Sequence, residues 1–356
     1  MATREDFFAQ MSLALRVRAS DEIVPGPFQP GQVKVRLVEA HTPESGSDGS
    51  HYLLSAVATS LGLALDQFAD DLFLLRVDDL VLAVDCLDSR FWQVHSTSAK
   101  DKVDRLLQRM LTNTTQLDSA WIPRDLLREV DGTHRWLKSS FDGEDLLGPN
   151  APARKWRARF EGDAPDDLLD ILSQQDQYAR ASALEAIGST VTEEGIGSAQ
   201  VTADWRGSFI IGQGDFNAGA SVVARAADRY ATFVTDLEQR HQLRFVGDAG
   251  AESGITLDGD VAALWFDDPI DSVELLVDGL FAAKAPFRLW AVPRQVDTHE
   301  WEANAIDLHV GQPLRLEISP YRVRVVLTET TCGNTLARLL TNLQQHLDAR
   351  VRMVAA

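Results

Sequence analysis

Cysteine is scarce in this sequence, since 356 residues include only two, Cys86 and Cys332. Two thiols cannot build the disulfide framework of a small secreted scaffold, nor a zinc site that needs several thiolates. Both cysteines lie in or beside apolar runs, so we interpret them as buried small hydrophobic residues.

Long hydrophobic runs are missing as well. No stretch approaches the roughly 18–20 consecutive apolar residues that cross a bilayer. The N-terminal segment carries acidic residues and lacks the apolar core and cleavage site of a signal peptide. We therefore predict a cytoplasmic protein with no membrane association.

Positive charge is also limited, because 34 Lys and Arg stand against 53 Asp and Glu, giving a net charge of −19. This charge opposes nonspecific attraction to nucleic acid or to an anionic membrane over most of the surface, although a local basic groove remains compatible with it. The acids occur in short pairs, which excludes an acidic tail. An apolar content of 45% is that of an ordinary globular protein.

The chain length predicts two or three domains. We divide the sequence into an N-terminal α+β domain (1–150), a middle α+β region (151–250) and a C-terminal α+β region (255–356), the last two of which could form one domain. The linker candidate is the Gly- and Pro-containing segment 148–153.

One order of elements recurs at 80–111, 198–240 and 314–350: two alternating strands, a turn rich in small residues, and an amphipathic helix. This order predicts an α+β fold with antiparallel or mixed sheets backed by helices, rather than a doubly wound parallel sheet. Ferredoxin-like split β-α-β units fit it, as do other helix-backed antiparallel sheets.

Several local patterns give more specific expectations. The segment 133–141 suggests a short helix, and 198–211 a single strand. Ser98 and Asp271 are the predicted N-caps of the helices that follow them. Trp290 lies in an apolar strand, and we expect it in the core or at an interface.

Basic residues alternate with apolar ones on several predicted strands, which places them on one face of each strand. A positive sheet face can follow a phosphate backbone, with tryptophan available for base stacking. The ordinary alternative is a solvated face whose basic residues pair with acidic neighbours. The candidate nucleic-acid-binding residues are Lys34, Arg36, Lys155, Arg157, Arg159, Arg322 and Arg324.

The turn before the last helix is a candidate anion site, because a helix N-terminus offers free backbone amides. A Walker-type loop would require a lysine that is absent here, and helix capping by Thr331 or Asn334 is the competing interpretation. The candidate anion-binding residues are Thr331, Gly333, Asn334 and Thr335.

The segment 212–219 contains G-x-G, but Asn217 occupies the place of the third glycine of a dinucleotide fingerprint. We therefore interpret Asp215 and Asn217 as turn and cap residues and predict no cofactor.

No catalytic motif is complete. His95 stands beside Ser96 near a strand end, but no G-x-S-x-G occurs, and no pair of histidines has metal-ligand spacing. We predict no metal site and interpret His95 as a partly exposed strand residue. Acidic residues that flank predicted strands leave a dispersed catalytic site open; they are Asp85, Asp88, Asp204 and Asp215.

The absence of a catalytic motif and the many amphipathic elements together favour a non-enzymatic binding or assembly protein, acting through a protein partner or as a homo-oligomer. Trp121, Trp136 and Trp301 lie in polar contexts; half-exposed tryptophans are enriched where proteins contact partners, although as a class they are more often simply partly buried. Nucleic-acid recognition is the first alternative, and a hydrolase or nuclease with a dispersed site is the second.

Overall fold

The computed structural model of the protein describes residues 2–17, 26–42, 47–141, 156–247 and 255–355. These residues form an α+β fold with helices and two sheets, which confirms the predicted fold class. None of the described helices combines the length and the apolarity that crossing a membrane requires.

The helices, in chain order, are α1 (Arg4–Arg16), α2 (Ser47–Leu61), α3 (Lys100–Asn113), α4 (Arg124–Arg128), α5 (Pro165–Ser173), α6 (Asp176–Ala179), α7 (Phe216–His241), α8 (Val273–Leu280) and α9 (Asn334–His346). The strands are β1 (Val33–Ala40), β2 (Ala64–Ala69), β3 (Leu72–Val77), β4 (Leu80–Asp85), β5 (Phe91–Ser96), β6 (Leu117–Ser119), β7 (Thr133–Phe141), β8 (Trp156–Glu161), β9 (Leu184–Glu193), β10 (Gly197–Asp204), β11 (Ser208–Gly214), β12 (Gln242–Gly247), β13 (Ile255–Asp258), β14 (Ala262–Trp265), β15 (Leu289–Ala291), β16 (Arg294–Asp297), β17 (Glu300–Asp307), β18 (Gln312–Ser319), β19 (Arg322–Thr328) and β20 (Arg352–Ala355).

The chain divides into two compact units, and each is assembled from segments that are distant in sequence. The first unit consists of Met1–Leu137, Glu161–Pro165 and Ala186–Tyr230, and the second of Lys138–Phe160, Asp166–Glu185 and Ala231–Ala356. The predicted regions were consecutive segments, and the linker candidate at 148–153 lies outside the described residues.

The first unit is built on strands in the order β2-β3-β4-β5-β1-β11-β10-β9. In the middle of this sheet, Val35 of β1 lies opposite His95 of β5 on one side and Phe209 of β11 on the other. α1 packs on this face, where the Phe7 ring centroid is 5.3 Å from that of His95. α2 and α3 pack on the other face in a buried cluster whose members include Val38, Leu54, Leu82, Trp92, Leu106 and Met110.

The second unit is built on strands in the order β13-β12-β19-β18-β17-β15, with β14 joining β19 to β20 and β16 pairing with β17. β12 runs parallel to β19, and the other described pairs of this sheet are antiparallel. α9 is buried along its whole length, although 8 of its 13 residues are polar or charged.

The predicted order of two strands, a turn and a helix is confirmed in each of its three occurrences, as β4-β5-α3, β10-β11-α7 and β18-β19-α9. The helix predicted within 80–111 is amphipathic, as expected, because the apolar stripe of α3 is buried at every position; its residues are Val103, Leu106, Leu107 and Met110.

The helix predicted at 133–141 is wrong, because this segment is strand β7. Burial alternates around Leu137 and Ser139, as it does in a strand with one face inward. The Ser139 hydroxyl donates a 2.6 Å hydrogen bond to the carbonyl of Ala183, just before β9. Pairing with a distant strand decided the structure here, and the local pattern did not contain that information.

The segment 198–211 forms both strands of the recurring order, and the single strand that we predicted for it is wrong, because the chain turns between β10 and β11. Gly207 has φ +69°, and a Cβ on it would lie 2.9 Å from Ala120 Cβ. Glycine is therefore required twice at this turn, by the left-handed backbone and by the close neighbour.

Both predicted caps are displaced by one residue. Ala99 precedes α3 and offers no side-chain hydrogen bond, and Ser272 caps α8 by accepting from the Leu275 amide at 3.3 Å. The strands that were not predicted are short or polar, and they include β12, β13, β16 and β17.

Candidate functional site: the open face of the second sheet

The sheet of the second unit has two chemically different faces. Along β18, Leu314, Leu316 and Ile318 are buried, whereas Pro313 and Arg315 between them are exposed. Asp307 of β17 points to the buried side, where it contacts α9. The opposite side, which we call the open face, carries the alternate residues of the same strands.

Strand register places apolar residues in a row across the open face. Trp290 of β15 lies opposite Ile306 of β17, which lies opposite Pro313 of β18. The Thr328 hydroxyl of β19 donates to the Pro313 carbonyl at 3.3 Å, and Thr328 lies opposite Leu243 of β12.

The row continues past Leu243 into the β12-β13 hairpin. Phe245 follows Leu243 on the same side of β12, and it lies opposite Leu257 of β13. We call this row the apolar band; it consists of Leu257, Phe245, Leu243, Pro313, Ile306 and Trp290.

The apolar band is accessible to solvent. The exposed fractions are 79% for Phe245, 60% for Leu257, 49% for Trp290 and 39% for Ile306. Single exposed apolar residues are common on protein surfaces, whereas several that lie in one row are typical of an interaction site.

Beside the apolar band, the open face carries alternating charges on β16 to β19. Arg315 lies 2.9 Å from Glu302 and 3.3 Å from Glu317, and Arg324 lies 2.7 Å from Glu317. Arg294 pairs with Glu302 from β16. We call these five residues the ion ladder. The pKa of Glu302 is lowered, chiefly by the hydrogen bond from Arg294, so this carboxylate stays charged.

The side chains of this face are of the kinds that proteins use to bind other proteins. Apolar side chains supply area that water leaves on association, and mutually paired charges supply orientation. Interface cores are enriched in aromatic residues, and both ends of the apolar band carry one, Phe245 and Trp290.

Two of the predicted nucleic-acid-binding residues, Arg322 and Arg324, lie on this open face. The Arg322 guanidinium stacks 5.2 Å from the Trp265 ring, and Arg324 is part of the ion ladder. Both positive charges therefore already have partners within the sheet.

Lys34 and Arg36 lie in the first unit, on the face of β1 toward α3. The Lys34 ammonium donates to the carbonyls of Gln32 and Thr97 at 3.1 and 3.2 Å. Arg36 pairs with Asp104 at 2.7 Å, and its side chain is 14% exposed. The predicted alternation of β1 is confirmed, and these two residues contribute to packing around α3.

Arg157 and Arg159 are exposed on β8, in the second unit. Lys155, the third member of the predicted face, lies outside the described residues. The nearby Lys138 pairs with Glu185. Burial raises the pKa of this carboxyl group, but the lowering that Lys138 contributes to is larger, so the pKa lies below its ordinary value.

The predicted anion-binding turn is buried. Thr331, Asn334 and Thr335 have no exposed surface. The Gly333 amide donates to a Glu238 carboxylate oxygen at 2.7 Å, and the Thr335 hydroxyl donates to Asp307. The protein's own carboxylate therefore occupies the start of α9, where an external anion was expected.

His95 is not partly exposed, as the sequence suggested, but only 3% exposed. Burial lowers its pKa to about 4, so the imidazole is neutral near pH 7. The Phe7 ring packs against its edge. This environment is that of a core residue.

The acids proposed for a dispersed catalytic site have structural partners. Asp85 pairs with Arg4, and Asp88 accepts from the amides of Arg90 and Phe91 at 2.8 and 2.9 Å. Asp204 accepts from two amides in the β10-β11 turn, and burial raises its pKa. Asp215 accepts from the Asn217 amide at 2.8 Å at the start of α7, which is the cap role we predicted.

Trp121 is buried, although its sequence context is polar; its amide donates to the Tyr230 hydroxyl at 3.0 Å and its ring lies 5.7 Å from that of Trp205. Trp290, expected in the core or at an interface, is half exposed and therefore not in the core, and its place at an interface stays a prediction.

Phe245 and Leu257 were missed in the sequence as functional candidates. Leu243 and Phe245 are two residues apart, so they lie on the same side of a strand, and this alternation is a sequence signal. The signal is weak because the flanking residues are polar and the strand is short. Only the register with β19 reveals that they continue a row that begins at Trp290.

Comparison with known proteins gives the family. The sequence profile described as MJECL33-like protein matches residues 28–356, which is most of the chain. The chain belongs to this family. The uncharacterized protein MJECL33 of Methanocaldococcus jannaschii is 22% identical over 326 residues, covering 80% of this chain and 78% of that protein. Neither name states an activity, so the functional argument rests on the site.

Proposed function

We propose that this protein is a non-enzymatic binding or assembly protein of the cytoplasm, whose open face docks a protein surface. The observation that carries the proposal is the apolar band, a row of accessible apolar side chains that runs from β13 to β15 and is interrupted by Thr328 on β19. A protein partner would remove this row from water, which is the main favourable contribution to association.

The composition of the open face supports a protein as the ligand. Contacts between proteins are dominated by a few aromatic and arginine residues surrounded by polar groups that exclude water. Phe245 and Trp290 supply the aromatic residues, and the ion ladder supplies the polar border.

The experiment is affinity capture from lysate of the native cell with four immobilised proteins. They are the wild type, Phe245→Ser, Trp290→Ser and Leu87→Ser. Leu87 is 72% exposed in the first unit, so its substitution is a matched control for loss of an exposed apolar side chain.

We expect the wild type and Leu87→Ser to retain the same proteins, at stoichiometric amounts, and the two band variants to lose them. Equal capture by all four proteins, or none by any, would contradict the proposed function. Circular dichroism of each variant establishes that it is folded.

Nucleic-acid recognition is a second candidate, favoured by one observation: Arg157 and Arg159 are both exposed on β8. The prediction is that Arg157→Glu with Arg159→Glu abolishes binding to a labelled RNA or DNA, while Arg294→Glu, an exposed arginine elsewhere, does not. Affinity should fall steeply with salt. Absence of binding by the wild type at low salt would eliminate this candidate.

A further inference from the structure

We infer that the surface that docks on the apolar band is the same band of a second copy of this chain, related by a two-fold axis. This inference rests on the proposed function and adds the identity of the partner. Three features support it: the sparse pairing of the β12-β13 hairpin with its own sheet, the order of the strands along the band, and the balanced charge of the open face.

The hairpin is only partly supported by its own sheet. Within the described part of the chain, β12 pairs with β19 through Gln242 and Leu243, and the strand partner of Arg244–Gly247 is Ile255–Asp258. A two-stranded ribbon is marginally stable in water by itself. Its cross-strand pair Phe245 and Leu257 is also the most exposed part of the band, so the ribbon has apolar surface that a partner can cover.

The band meets the requirement for a two-fold contact, in which residue i touches residue j and j touches i. Its strand order places Phe245 toward one end, Trp290 at the other end, and Thr328 and Pro313 in the middle. A two-fold axis that runs parallel to the strands between β19 and β18 reverses this row. It exchanges β12 with β17 and β13 with β15, and therefore places Leu243 of each copy against Ile306 of the other and brings Leu257 of each copy near Trp290 of the other.

The same axis brings opposite charges of the two ion ladders together. Exchange of β18 with β19 brings Arg324 of one copy opposite Glu317 of the other, and the reverse, because these two residues lie opposite each other in the sheet. Each glutamate then meets an arginine from both chains, and like charges are not placed together.

Net charge distinguishes this face from the rest of the molecule. The chain carries −19, so two copies repel each other over most of their surfaces. By register, the open face of β16 to β19 is balanced, with four arginines and four acids; they are Arg294, Arg315, Arg322, Arg324, Asp297, Glu300, Glu302 and Glu317. Here two acidic molecules can meet without bringing their excess charge together, whereas a basic partner would be attracted elsewhere.

The first test is the mass of the full chain in solution, measured by sedimentation equilibrium over a range of concentrations. We expect a monomer–dimer equilibrium for the wild type and for Leu87→Ser. Phe245→Ser and Trp290→Ser each remove an aromatic contact twice per dimer, and should weaken dimerisation by roughly 30-fold or more. The dimer should persist when NaCl is raised, because apolar contacts hold it together.

A cross-linking experiment tests the reciprocal geometry. Chains carrying Leu243→Cys and Ile306→Cys are mixed and oxidised with copper phenanthroline, and the disulfide-linked dimer is measured on a non-reducing gel. The native Cys86 and Cys332 are buried and contribute little background. The mixture should cross-link several-fold more than either variant alone.

A wild type that is monomeric at all concentrations, a dimer that dissociates with salt, or equal cross-linking in all three samples would overturn the second-copy inference. The capture experiment decides separately on the proposed function. A monomer whose captured protein is lost with Trp290→Ser has a different partner on the same band, and a monomer that captures nothing supports neither conclusion.

Discussion

Arg338 donates from Nη2 to Asp307 Oδ1 across 2.6 Å, and neither side chain has any exposed surface. Asp307 also accepts from the Thr335 hydroxyl and from the His309 amide at 2.9 Å. Burial by itself raises the pKa of Asp307, but the positive charge of Arg338 and the contacts from His309 and Thr335 together more than offset this, so the pKa lies below the ordinary value and the carboxylate is ionised. The pair joins β17 to α9 inside the second unit.

Replacing Asp307 should therefore be strongly destabilising. Asp307→Ala leaves the Arg338 guanidinium buried without its counter-charge, and we expect a loss of about 3–5 kcal/mol in the free energy of unfolding. Urea denaturation measures it. The matched control is Arg294→Ala, which breaks an exposed pair and should cost about 1 kcal/mol or less. If Asp307→Ala does not fold, Asp307→Asn is the milder variant, and similar midpoints for it and the control would contradict this role.

The buried His95 predicts a loss of stability in acid. Its pKa is about 4 in the folded protein, against an ordinary value of 6.5. Below pH 6.5 the unfolded state binds a proton that the folded state does not, so stability falls until the pH reaches about 4. Between pH 7 and pH 5 this group alone should cost about 2 kcal/mol.

The variant His95→Phe removes this titration and keeps an aromatic ring beside Phe7. Its unfolding free energy, measured by denaturant titration at both pH values, should decline less than that of the wild type by that amount. An unchanged difference between pH 7 and pH 5 would show that His95 titrates normally and is not desolvated.

A comparison of alanine substitutions at Gly207 and Gly62 distinguishes the cost of backbone strain from the cost of steric contact. Both have left-handed backbones, with φ of +69° and +68°, but a Cβ on Gly62 meets nothing within 4 Å, whereas one on Gly207 meets Ala120. We expect Gly62→Ala to cost about 1 kcal/mol and Gly207→Ala clearly more. Thermal unfolding compares the two, and equal costs would mean that the turn shifts to relieve the contact.

Glu238 should stabilise α9 through the helix dipole, because its carboxylate accepts from the Gly333 amide. Glu238→Gln keeps the shape but removes the charge, and we expect a loss of about 0.3–1 kcal/mol that shrinks in high salt. Glu329→Gln, an exposed acid before the helix, is the control. A thermal shift of Glu238→Gln but not of the wild type on adding inorganic phosphate would revive the anion site predicted at this turn.

The sequence predicts best what depends on neighbours in the chain. The buried stripe of α3 follows from spacings of three and four residues, and the two sides of β1 follow from simple alternation. These signals are local, so no knowledge of the fold is needed to use them.

The apolar band and the Arg338–Asp307 pair depend on contacts between distant segments. Phe245 and Trp290 belong to one row only because the intervening strands pair in one register, and a shift of one residue would turn either strand over. Arg338 stands between Ala337 and Leu339 in α9, and nothing in this local sequence predicts that its side chain is buried. Its burial follows from Asp307, which lies on another element and has no periodic relation to it.

The late position of α9 has a consequence for synthesis. Asp307, its strand and the rest of the second sheet through β19 leave the ribosome before Thr335 and Arg338 do. A nascent chain that has emerged only through β19 lacks Arg338, the partner of Asp307. It must keep Asp307 in water, which leaves the unit open, or bury this carboxylate without a counter-charge. The second unit therefore completes its fold only after α9 has emerged, and until then the nascent chain is a substrate for chaperones and proteases.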